Sequence, residues 1–161
     1  MIEEITSAAN FLCHLMYLSE KITQSELKLV HDTLLQELKR RFKQSWNIIQ
    51  PPKGSAYRCI RINGTKPPLF NSIENRIGID SERLIEALPY HLTLYIDPGE
   101  VSYRLGQTGM INVLYETNAS NGPWIAGSTL CDDIISRHSI EHLLNPNTSD
   151  VCRELNRIMN L

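Results

Sequence analysis

The chain opens with apolar side chains at Ile5, Ala8, Ala9, Leu12, Leu15 and Met16, steps of three and four that predict a helix over 3–18. A polar stretch follows, and Thr23-Gln-Ser-Glu26 has the form of a capping box, in which each partner satisfies the other's backbone N–H. The helix it starts carries Leu27, Val30, Leu34, Leu38 and Phe42 at the same spacing. Two such helices with a short connection predict an antiparallel hairpin, with Trp46 closing its core and Pro51-Pro52 forbidding further helix. Thereafter the period drops to two. Residues 57–62, 92–96, 101–105 and 110–115 read as strands, the last two joined by Gly106-Gln-Thr-Gly109. Two short helices are predicted between the first two strands, Pro68–Ile77 stopped by Gly78, and another capped by Asp80 and ended by Pro89. Helices first and strands later predict an α+β fold: a single domain in which an N-terminal helical hairpin and short helices pack on a small, mostly antiparallel four-stranded sheet.

Parity along 92–97 separates Leu92, Leu94 and Ile96 on one face from Thr93, Tyr95 and Asp97 on the other. An aromatic and a carboxylate two apart on the solvent side make a poor core and a good contact surface. Length does not change this picture, since 161 residues suffice for one domain and a tail. A net charge of −2 gives no global pull toward nucleic acid or anionic membrane, so RNA binding would need a local patch. The basic cluster Lys39-Arg40-Arg41-Phe42-Lys43 falls at a helix end, where cations complement the dipole. Cys13, Cys59, Cys131 and Cys152 form no CxxC pair and read as buried thiols. The acidic start Met1-Ile-Glu-Glu and the lack of a long apolar run predict a protein inside the cell, without a membrane span.

Catalytic patterns are missing from the sequence: there is no Walker loop, HExxH, GxSxG or paired-cysteine zinc motif. His138 and His142, four apart with Asp132 and Asp133 nearby, could share a metal-ligand face, but a solvated helix face explains them more simply. Cys59, His91 and Asp97 could compose a cysteine hydrolase, yet nothing beside Cys59 would activate its thiol. Leu34-Leu-Gln-Glu-Leu38 and Leu84-Ile-Glu-Ala-Leu88 lack the leucine spacing of a coactivator motif and read as helix core. The expectation is therefore no enzyme and no cofactor. Beyond Glu116 the turn-rich stretch 118–123 looks like a domain edge, and 150–159 could form a short terminal helix.

Two ordered blocks carry a resemblance. Lys53-Gly-Ser-Ala-Tyr-Arg-Cys-Ile-Arg-Ile-Asn63, with Trp46 upstream, and Leu88-Pro89 through Leu92-Thr-Leu, Ile96-Asp-Pro, Glu100-Val-Ser-Tyr-Arg104 and Gly106 are similar to the two signature boxes of the BTG/Tob antiproliferative family. The match covers about 1–116, leaving 117–161 as a variable tail, and is nearest to the short members. Gly109-Met-Ile-Asn-Val-Leu-Tyr-Glu116 resembles their third box. The resemblance implies a non-enzymatic adaptor that binds the catalytic deadenylase subunit of the CCR–NOT complex. It would promote poly(A) tail shortening and restrain proliferation, in cytoplasm and nucleus. By motif position Tyr57, Tyr95 and Asp97 would contact the deadenylase. Asn112, Leu114 and Glu116 would offer a third-box surface to cytoplasmic poly(A)-binding protein. No direct nucleic-acid contact is implied. A nuclear co-regulator acting through DNA-bound transcription regulators is the alternative. Three positions depart from the family: Tyr95 stands where tryptophan is usual, Gly99 where an aromatic is usual, and Gln107 where glutamate is usual.

Overall fold

A computed structural model of the chain describes residues 1–118 and 122–125. Helices α1 (Ile2–Leu18) and α2 (Gln24–Phe42) form the expected hairpin, and the apolar positions of both stripes are buried. The capping box is present: Thr23 Oγ1 accepts from Glu26 N at 3.4 Å, and Glu26 Oε2 accepts from Thr23 N at 2.9 Å. Burial extends around α1 to Asn10, Cys13 and His14, because α2 covers one side and the sheet covers the other. Phe11 of α1 packs against Tyr103 of the sheet at 4.6 Å between ring centroids, the ring planes tilted by 35°. Each buried leucine here, such as Leu12, Leu15, Leu34 and Leu38, contributes about 2 kcal/mol of transfer free energy.

Next in the chain are α3 (Ser55–Arg58), β1 (Ile60–Ile62), α4 (Pro68–Ile77) and α5 (Ser81–Glu86). Proline at the first turn and Gly78 at φ +71° bound α4 where the sequence places its ends. Asp80 caps α5 by accepting from Glu82 N at 2.9 Å. Leu34, Leu38, Leu84 and Leu88 are all core residues, as read from their spacing. Strands β2 (Leu92–Asp97), β3 (Glu100–Leu105) and β4 (Ile111–Asn118) complete the four expected strands. A further short strand, β5 (Gly122–Ile125), pairs with β4 and begins within the stretch read as a domain edge. The sheet runs β1-β2-β3-β4-β5 with every neighbour antiparallel. Among the described residues no helix is long and apolar enough to cross a membrane. The His138, His142, Asp132 and Asp133 group, Cys131, Cys152 and the terminal helix lie outside the described residues.

One predicted strand is partly a helix. Only Ile60–Ile62 of the 57–62 run is extended, while Tyr57 and Arg58 belong to the single turn of α3. Gly54, at φ +82°, reverses the chain into that turn, and a Cβ there would also crowd Ser45 at 3.2 Å. The alternation that suggested a strand arises because Arg58 is as buried as Ile60 and Ile62.

Candidate functional site

Arg58 is the most deeply committed polar side chain of the fold, with no exposed surface. Its Nε donates to Ile96 O at 3.0 Å and to Asp97 Oδ1 at 3.1 Å. Nη2 donates to Pro51 O and Asp97 Oδ1, both at 2.6 Å, and Nη1 donates to Lys53 O at 3.1 Å and to Ser45 O. The guanidinium lies 5.6 Å from the Trp46 ring centroid, and Trp46 stacks on Phe42 at the end of α2. One arginine thus gathers the end of α2, the Pro51–Gly54 loop and the end of β2. Its charge is balanced by the Asp97 carboxylate, whose side chain is 27% exposed.

This hub fixes what surrounds it. Tyr57, the residue before Arg58, projects outward and is 82% exposed, which excludes a core-packing role for it. Asp97 is tied to the same arginine, so α3 and the end of β2 form one corner. Tyr95, half-buried, shares the outer parity of β2 with Asp97. The structure therefore places Tyr57 on the turn that Arg58 ties to the end of β2, and Tyr95 and Asp97 on one face of β2, where Asp97 also balances a buried charge. In the sequence Arg58 stands out only as a strand-borne cation, with Arg61 and Arg104, on the face opposite Arg61. The one signal of its burial is parity with Ile60 and Ile62, which is odd for an arginine meant to face water.

The turn after Asp97 is pinned from both sides. Asp97 pairs with Glu100 across Pro98-Gly99, with Gly99 at φ +86°, the pattern of a type II turn. Gly99 N donates to Glu4 Oε1 of α1 at 3.1 Å, and Gly99 O accepts from Thr117 N of β4 at 2.7 Å. The glycine that departs from the family pattern is thus a structural turn residue here.

The third-box surface is rearranged by a bulge. Ser102 pairs with Val113 but Val101 pairs with Tyr115, so Leu114 is an extra residue and the alternation of β4 breaks there. Tyr115 consequently turns into the core, where its hydroxyl donates to Glu3 Oε2 at 2.6 Å. Burial and the Glu3 carboxylate push its phenol pKa up. Ile111 and Val113 stay exposed, and Glu116 is exposed beyond the bulge. Asn112 sits opposite Tyr103 on the helix side, so Asn112 and Glu116 lie on different faces. The outer face of β4 is therefore Ile111, Val113 and Glu116, in place of the expected Asn112, Leu114 and Glu116. Two cross-strand rows result on that face, Tyr95–Ser102–Val113 and Arg61–Thr93–Arg104–Ile111.

The hydrolase constellation is not assembled. Asp97 is held by Arg58, and burial pushes the half-buried Cys59 thiol pKa up, away from the thiolate. His91 precedes β2 at the end opposite Cys59, about 13 Å away along the ladder.

Comparison with known proteins agrees with this architecture. A family model described as the BTG family matches residues 1–115. The chain belongs to the BTG family. Human Protein BTG1 is 40% identical over 122 residues, covering 76% of this chain and 71% of that protein. Human Protein BTG2 is 40% identical over 116 residues, covering 72% of this chain and 73% of its own. Human Protein Tob1 is 34% identical over 120 residues, 74% of this chain but 34% of that longer protein. Among solved structures, the C. elegans FOG-3 BTG/Tob domain superposes with a TM-score of 0.62 at 21% identity. The superposition covers 73% of this chain and 84% of that one, and shows a shared fold.

Proposed function

We propose that this BTG-family protein is a non-catalytic, antiproliferative adaptor. Its Tyr57–Tyr95–Asp97 corner would dock on the catalytic deadenylase subunit of the CCR–NOT complex and so promote poly(A) tail shortening. The observation that carries this reading is the exposed Tyr57 directly preceding the buried Arg58, whose guanidinium is bound to Asp97. Aromatic anchors with little conformational freedom are what a small interface hot spot requires. Tyr95, smaller than the tryptophan usual in the family, fills less of a partner's pocket from the same position. The outer face of β4, with Ile111, Val113 and Glu116, is the surface left for a second partner such as poly(A)-binding protein. Holding enzyme and poly(A)-binding protein together would raise the local enzyme concentration without any catalytic group of the adaptor's own.

Calorimetric titration of the purified protein against the deadenylase catalytic subunit tests the reading. Saturable binding that Tyr57→Ala weakens by about 30-fold, with melting unchanged, is the expected result. Absence of binding by the intact protein, or equal binding by Tyr57→Ala, would overturn it.

A further inference from the structure

Below the Tyr95 row the outer face opens into a cleft of about 410 Å³, lined in part by Arg61, Thr93, Arg104, Tyr90, His91 and Gln107. Arg61 and Arg104 flank Thr93 from the two neighbouring strands, so their guanidiniums share one face across a single strand. Among the described residues neither makes an ion pair, and no carboxylate lines the cleft. The nearby Asp97 is bound to Arg58. Arg104 Nε is buried with no hydrogen-bond partner, a state that proteins rarely leave uncompensated. At the rim His91 holds a left-handed φ of +65°, uncommon for a non-glycine residue, and Gln107 Nε2 approaches His91 Nε2 at 3.4 Å. Beside it Tyr90 is 61% exposed, its ring meeting His91 in an edge contact at 4.2 Å between centroids and its hydroxyl packed over the bare backbone of Gly64.

We infer that this cleft binds a nucleotide, its phosphate on Arg61 and Arg104 and its base on Tyr90. Two unpaired guanidiniums with an orphaned N–H call for an acceptor-rich anion. The volume exceeds what a bare phosphate fills, and the polar rim with one exposed aromatic ring suits a base more than the flanking side chains of a phosphopeptide. Guanidinium for the phosphate and an aromatic for the base is how single-stranded nucleic acid is held without sequence readout. It is also the local basic patch that a chain of net charge −2 would need. This site stands apart from the deadenylase reading and survives its failure.

The test is amide-resolved NMR of the full chain, titrated separately with AMP, UMP, inorganic phosphate, a phosphoserine peptide and a short single-stranded oligoribonucleotide. Shifts at Arg61, Tyr90, His91, Thr93 and Arg104, with either mononucleotide binding more tightly than phosphate, are expected. Arg104→Gln and Arg61→Gln should each weaken nucleotide binding by about 10- to 100-fold. Tyr90→Ala should weaken the nucleotide but leave phosphate unchanged. Tighter, steeply salt-dependent oligonucleotide binding would mark an RNA strand as the source, and equal affinity would mark the free nucleotide. Phosphate binding as tightly as AMP, a phosphoserine peptide binding where AMP does not, or no shift at these residues would overturn the inference. So would wild-type affinity in both arginine variants.

Discussion

Replacing Asp97 by alanine should destabilise the fold as well as alter its surface, and the size of the effect follows from Arg58. Six hydrogen bonds leave the Arg58 guanidinium, two of them to Asp97 Oδ1. Asp97→Ala removes both and leaves a fully buried cation with four carbonyls and no counter-charge. Breaking a buried ion pair from one side costs about 3–5 kcal/mol. Nε and Nη2 retain Ile96 O and Pro51 O, and water can enter beside a carboxylate that is 27% exposed. The expected loss is therefore somewhat below that range, about 2–3 kcal/mol, or roughly a 10 °C fall in Tm. Asp97→Asn keeps an acceptor for the guanidinium without the charge and should lose about 1 kcal/mol. Urea unfolding at neutral pH, followed by fluorescence and circular dichroism with the m-value compared, measures both. If Asp97→Ala stayed within about 0.5 kcal/mol of the wild type, the reasoning about Arg58 would be refuted. The consequence for function is direct: lost binding in Asp97→Ala mixes a missing contact with a loosened corner, whereas Tyr57→Ala does not.

Tyr57→Ala should change unfolding free energy by no more than about 0.5 kcal/mol, because the side chain has almost no internal contacts to lose. Chemical denaturation checks this, and a larger loss would show that α3 depends on the phenol. Glu26 should set part of the acid limb of stability. Its pairing with Arg83, and then its bonds to Thr23, hold its pKa down to about 2 from 4.5. A carboxyl depressed in the folded state stabilises above its unfolded pKa and loses that contribution as pH falls through the folded one. Glu26→Gln should thus lose about 1 kcal/mol at neutral pH, a value discounted for solvent screening. The gap to wild type should close between about pH 4.5 and pH 2, and a gap independent of pH would refute the assignment. Gly109→Ala should destabilise the β3–β4 hairpin, since the added Cβ would lie 1.8 Å from Leu105 O. Amide exchange on β4 should then accelerate more than exchange on α2.

What could be read from the sequence was what is decided locally. The capping box, the proline start and glycine stop of α4, and the inward set Leu92, Leu94 and Ile96 each depend on neighbours within a turn or a strand. Arg58 escaped because its partners sit at 45, 51, 53, 96 and 97, and no local pattern announces four carbonyls converging on one side chain. The bulge at Leu114 escaped for a related reason. A single extra residue is invisible in an alternating run, yet it sends Tyr115 to the core and leaves Ile111 and Val113 outside. The cleft between Arg61 and Arg104 required the β1-β2-β3 order, which puts two arginines 43 positions apart on either side of Thr93.

These non-local features explain how an exposed contact can also be a rigid one. A single helical turn such as α3 has no stability of its own in water, because nucleation fixes several dihedrals for one hydrogen bond. Tyr57 would wander with it were the turn not anchored. The anchor is the next residue, whose guanidinium is bound on every side. Chain connectivity thus converts the burial of Arg58 into the pre-organisation of Tyr57, and the Gly99 turn does the same for the end of β2. Substitution at Tyr95 then changes what the surface presents to a partner, while the backbone that presents it stays where Arg58, Glu4 and Thr117 hold it.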